Sequence, residues 1–225
     1  MAKFQKKRNY KKKPYKQWSK SLTRLRPGVP NHMIAKLRYM TVVTLSPGPI
    51  GLADGNVFSL NGLYDPNISG AGGQPRFFDQ YCGTDGGAGM YKHYTCLGAR
   101  VTTEFTSMDS TYNNRCYLSV RDSSSAVTDY YDLEEASKSK KVTVAPKGSG
   151  GSIRKLSMNW SAKKWFGRPN VTTELNLTGS NSTNPSEQAY LHVSVANPSS
   201  GSDSGNVSAI VIIDYLVKFH SPVQP

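Results

Sequence analysis

The sequence predicts an all-β fold, an eight-stranded antiparallel jelly-roll sandwich preceded by a disordered basic arm. Three observations carry this expectation. Apolar residues recur with a period of two from residue 37 almost to the end of the chain. The stretches between them are rich in Gly, Ser, Asn, Asp and Pro, with no alternation of strands and long helices. The charge is split along the chain. Residues 1–38 hold thirteen Lys and Arg and no acid, whereas residues 39–225 hold fifteen bases and fifteen acids. The net +13 of this 225-residue chain therefore belongs to its beginning, and the rest is neutral.

The arm is assigned to residues 1–35 and the jelly-roll body to residues 36–225. Pro14, Pro27 and Pro30 interrupt any long helix in the arm, and like charges at this density repel. Its cations Lys3, Lys6, Lys7, Arg8, Lys11, Lys12, Lys13, Lys16, Lys20, Arg24 and Arg26 can neutralise phosphates without reading sequence. The aromatic rings between them, Phe4, Tyr10, Tyr15 and Trp18, can stack on unpaired bases. The pairing of the two residue types points to single-stranded nucleic acid. Lys6, Lys7, Arg8, Lys11, Lys12 and Lys13 are also candidates for a nuclear-import address. No lipidation signal or amphipathic helix directs this charge to a membrane.

Eight strands follow. In 37–45, Leu37, Tyr39, Thr41, Val43 and Leu45 share a face; in 97–105, Leu97, Ala99, Val101, Thr103 and Phe105 do so. Segment 115–122 sets Cys116, Leu118 and Val120 on one side, and 141–145 contributes Val142 and Val144. Segment 152–160 alternates Leu156, Met158 and Trp160 against polar residues. Val171, Thr173, Leu175 and Leu177 predict a strand over 171–177, and Ala189, Leu191, Val193 and Val195 one over 189–195. The last, 207–219, alternates from Val207 to Phe219 without a break. Only 128–137 and 161–166 suit short helices. An immunoglobulin-type sandwich is the competing solution, but its connections are shorter and more even. The 46–91 connection, with seven glycines in 70–89, is far longer than a hairpin loop and is expected to be functional or to pack on a neighbouring subunit.

Several functions are disfavoured. No run of eighteen apolar residues exists, so no membrane insertion is expected, and the N-terminus lacks the apolar stretch of a secretory signal. His32, His93, His192 and His220 are scattered, with His192 read as structural or surface, and Cys96 and His93 lack a third catalytic partner. Cys82, Cys96 and Cys116 read as small core residues. Gly70–Gly73 lacks the Lys-Ser/Thr ending of a phosphate loop. Nothing fixes Asp109, Asp122 and Asp129 around a metal ion, Glu134–Glu135 beside Lys138, Lys140 and Lys141 reads as a solvated charge cluster, and the six N-x-Ser/Thr matches read as chance. No enzyme, cofactor or metal site is expected.

Specific strings add a resemblance. Asn61-Gly62-Leu63-Tyr64-Asp65-Pro66, then Gly73-Gln74-Pro75 and Phe78-Asp79-Gln80-Tyr81, resemble the long early loop of capsid proteins from circovirus-like viruses with circular single-stranded DNA. Asn184 to Tyr190 and Ile213 to Phe219 are similar to the late strands of those proteins. The chain departs from them in having Gly73 before Gln-Pro and lysine rather than arginine in most of the arm. The resemblance implies a homo-oligomeric shell of sixty subunits around single-stranded DNA, formed in the host nucleus, with import machinery and a cell-surface receptor as further partners. Subunit-contact candidates are Asp65, Pro66, Gln74, Pro75, Phe78, Asp79 and Gln80. The alternatives are the coat of a small or satellite single-stranded RNA virus, and a non-viral single-strand-binding protein.

Overall fold

The computed structural model describes residues 29–49, 51–84, 87–197 and 205–223. Nine strands lie among them: β1 (His32–Leu45), β2 (Ala53–Ser59), β3 (Tyr91–Ser107), β4 (Asn114–Arg121), β5 (Ser139–Val144), β6 (Ile153–Ser161), β7 (Thr178–Ser180), β8 (Tyr190–Ala196) and β9 (Val207–Pro222). The short helices are α1 (Phe78–Tyr81), α2 (Tyr130–Glu135) and α3 (Ala162–Phe166).

The strands form two antiparallel sheets in the orders β1-β9-β3-β6, with β7 beside β3, and β2-β8-β4-β5. Apart from the three-residue β7, the first four strands pair in reverse order with the later ones: β1 with β9, β2 with β8, β3 with β6, β4 with β5. This is one long antiparallel ribbon rolled on itself, so that β9 also meets β3 and β8 also meets β4. That is a jelly roll, as the sequence predicts.

β9 sets the core. Val207, Ala209, Val211, Ile213, Tyr215, Val217 and Phe219 are fully buried, while the residues between them turn outward. Opposite them lie Leu37, Tyr39 and Leu45 of β1 and Ala99, Val101 and Phe105 of β3. The Tyr215 hydroxyl crosses the sandwich and donates to the Ser59 carbonyl of the other sheet at 2.7 Å.

Four expectations need correction. First, residues 171–177 form two short 3₁₀ turns, Val171–Thr173 and Leu175–Leu177. The Asn170 side chain accepts from Thr172 N and the Thr178 hydroxyl donates to Glu174 O, so local hydrogen bonds replace a ladder. Leu175 is 86% exposed although it completes the period-two pattern.

Second, the 46–91 connection is not one loop, because it contains β2 and α1. β2 has no alternating pattern because both of its faces are covered toward its end, where Val57, Phe58 and Ser59 are all buried. Third, β3 carries a bulge between Cys96 and Gly98. The inward face is therefore Cys96, then Ala99, and Leu97 is displaced from it. A side chain at Gly98 would meet the Trp160 carbonyl at 2.9 Å.

Fourth, β1 begins at His32 and takes residues 32–35 out of the arm. Val29 already packs on the core, and Pro30 O accepts from the Tyr91 hydroxyl at 3.0 Å.

Candidate nucleic-acid and subunit-contact sites

The arm residues proposed to hold nucleic acid, from Lys3 through Tyr10, Tyr15 and Trp18 to Arg26, lie outside the described residues, as do the import candidates Lys6 to Lys13. The structure does show where the arm joins the body. It runs into the start of β1, and β1 lies at one end of its sheet's strand order. The outward face of β1 exposes Ile34, Met40 and Val42 beside Lys36 and Arg38. The Arg38 guanidinium grips the Asp214 carboxylate of β9 through two bonds, 2.6 and 3.0 Å, which raises the arginine pKa further.

The strings that carry the resemblance meet in space. Asn61 Nδ2 donates to Glu187 O at 2.9 Å and Asn61 Oδ1 accepts from Ala189 N at 3.0 Å. Asn184 Oδ1 accepts from Tyr64 N and Asp65 N at 3.0 and 3.1 Å, and its Nδ2 donates to Asp65 O at 2.9 Å. Two segments about 120 residues apart are thus latched by two asparagines acting as substitute backbone. Gly62 sits inside the latch, where an added Cβ would lie 2.5 Å from the Asn184 side chain. The Tyr94 hydroxyl accepts from Leu63 N at 2.9 Å, and burial raises its pKa strongly, so it stays a neutral phenol.

The latch divides the contact candidates. Phe78 is 1% exposed and meets Tyr94 edge-on at 5.3 Å, so it is core. Pro66 and Pro75 are buried as well, and none of the three has surface to offer a neighbour. Asp65 is half-buried in the latch, while Gln74, Asp79 and Gln80 are exposed. The aromatic residue that sequence reasoning missed is Phe77. Its left-handed backbone (φ 69°) ends the preceding loop and leaves the ring 48% exposed, with the Arg76 guanidinium 4.9 Å above it. Two adjacent phenylalanines read alike in sequence, and only the backbone sign of φ decides which faces out.

Cys96, Asp109, Asp129 and Glu134 are engaged in structural hydrogen bonds. Cys96 Sγ points at Leu60 O and Gly98 O, and burial pushes its thiol up to about 12, so no thiolate forms near neutral pH. His93 instead lies 5.8 Å from the His220 ring. Asp109 accepts from Thr111 N and Gly205 N at 2.7 Å each, and Asp129 caps α2 through Tyr131 N. Glu134 is not a solvated cluster as expected: it accepts from Arg115, Lys141 and the Tyr117 hydroxyl. Among the described residues no group of three or more His, Cys, Asp or Glu is placed to hold a metal ion, and no helix is long and apolar enough to cross a membrane.

No family model and no curated protein matches the chain. Solved structures similar to it include that of desmodium yellow mottle tymovirus, 15% identical, covering 89% of this chain and 95% of that one, with a TM-score of 0.40. The capsid protein of BFDV is similar in a 60-mer (12% identity, 87% and 98% coverage, TM-score 0.44) and in a decamer (9%, 84% and 98%, TM-score 0.46). These structures are viral coat proteins. With identities this low and TM-scores below 0.5, assembly and cargo rest on the chain's own residues.

Proposed function

We propose that this chain is a viral coat protein whose jelly-roll bodies close into a small icosahedral shell and whose basic arms hold a single-stranded genome inside it. The observation that carries the reading is the position of the charge. Eleven cations precede residue 29, the start of the described body, and no acid occurs before Asp54. A charge block of this kind binds a polyanion without rigid geometry. The body supplies what identical copies need to close a shell: exposed apolar residues on the outer face of β1 and a loop surface bearing Gln74, Phe77, Asp79 and Gln80. Sixty arms of eleven cations would carry about 660 positive charges, suited to a very small genome. Circular single-stranded DNA is the proposed cargo, on the resemblance of the loop strings. Lys6–Arg8 and Lys11–Lys13 are the proposed import address.

Removing residues 1–28, which leaves β1 intact, tests the reading. The truncated body is expected to stay folded and to form particles visible by electron microscopy, while losing most of its co-purified nucleic acid. The slope of log K against log salt should flatten by up to about 8 for the eleven lost cations. A full chain that remains monomeric at every salt concentration would overturn the shell, and unchanged nucleic-acid affinity after truncation would overturn the role of the arm. DNase or RNase sensitivity of the cargo separates the DNA reading from the RNA one.

A further inference from the structure

We propose a second nucleotide-binding site on the body itself, a groove at the open side of the sandwich between β5 and β6, roofed by α3, that takes one unpaired base of a single strand. This rests on the nucleic-acid reading above. The neutral body is strongly polarised. Between Lys138 and Arg168 lie nine of the fifteen cations of residues 39–225, and no acid occurs from residue 136 to 173. β5, β6 and α3 bring several of them together.

The groove has a volume of about 470 Å³, room for a nucleotide, and its floor is apolar: Val120, Met158 and Trp165. Lys138, Lys140 and Lys164 are exposed at its rim. Among the described residues these three lysines have no carboxylate partner, unlike Lys141 and Arg168 close by. Lys138 Nζ lies 4.8 Å over the Trp165 ring, so the ring face is already held against a cation.

A further feature points to a ligand. Trp160 lines the same groove, is 7% exposed, and its buried Nε1–H has no acceptor among the described residues. A buried donor without a partner is costly, so a small opening of the groove that let a base carbonyl or phosphate oxygen reach it would be favoured. Cations alone would suit any polyanion, including a sulfated sugar. A ring to stack on, an unmatched N–H and an apolar floor together suit a base, and a base is free to enter only when unpaired.

The test uses the full chain with Trp18→Phe, so that tryptophan emission reports Trp160 and Trp165 alone. Oligo(dT) is expected to quench this emission, and heparin is expected not to. Photocrosslinking to bromodeoxyuridine-substituted oligo(dT), followed by peptide mapping, should place adducts within 138–168 as well as within the arm. Lys140→Glu with Lys164→Glu, both exposed, and Trp165→Ala should each lower the 138–168 adduct about tenfold. Circular dichroism confirms that each variant is folded. Adducts confined to the arm would overturn the body site and leave the arm reading intact, whereas adducts at 138–168 alone would do the reverse. Equal quenching by heparin would overturn the assignment to a base.

Discussion

Asn184 serves three backbone groups from one side chain, the Tyr64 and Asp65 N–H groups and the Asp65 carbonyl. Asn184→Ala removes these three bonds, leaving Tyr64 N only its long 3.4 Å contact to the Tyr94 hydroxyl, and is expected to lower the unfolding free energy by about 1–3 kcal/mol in urea titration. Leu175→Ser, at a position that also looks structural in the sequence but is exposed, should stay within about 0.5 kcal/mol. Equal effects of the two would refute the latch. Neither outcome is readable from residue type. Asparagine in a polar loop signals a turn, and only the fold brings residue 184 to residue 64.

At the scale of elements, α2 is a lid on the second sheet rather than a surface ornament. Leu133 buries against Tyr117, Val127 and Ala196, and Glu134 accepts the otherwise enclosed Tyr117 hydroxyl at 2.9 Å. Hydrogen bonding from Lys141 leads the causes that hold the Glu134 carboxyl below the ordinary range, against a contrary effect of burial, so the group is ionised at neutral pH. Glu134→Ala should cost about 1–3 kcal/mol by denaturant titration, while the adjacent exposed Glu135→Ala should cost almost nothing. Similar losses at both positions would mean that the pair is only a solvated cluster. The same covering explains why β2 escaped detection. A strand buried on both faces loses its period, whereas β9, with one face outward, keeps it over 207–219.

Across the whole molecule, stability should respond to mild acid through two histidines. Burial is the first cause lowering the pKa of His192, and it does the same for His220, where the charges of His93 and Lys218 add to it. His192 Nε2 donates to Ser123 O at 2.8 Å and its buried Nδ1 has no partner among the described residues, so protonation would place an unmatched N–H in the core. The unfolded chain takes up protons near pH 6.5 while the folded one resists, so stability is full above 6.5 and falls below it. The slope from His192 is at most about 1.4 kcal/mol per pH unit. Urea titrations of the full chain from pH 7.5 to 5.5 should show this decline, and His192→Gln should reduce it. A flat profile would contradict the buried neutral ring.

Residue order alone specifies the all-β class, the strands with one face in the core, and the separation of a cationic arm from a neutral body. All three are properties of residue order along the chain: a period of two, and a count of charges. Only the packed fold made β2 a strand and 171–177 not one, brought Phe77 rather than Phe78 to the surface, and set Val120 beside Lys138, Trp160 and Trp165 in one groove. Those outcomes depend on what covers a second face, on the sign of one φ angle, and on which segments the rolled ribbon brings side by side, none of which local order records.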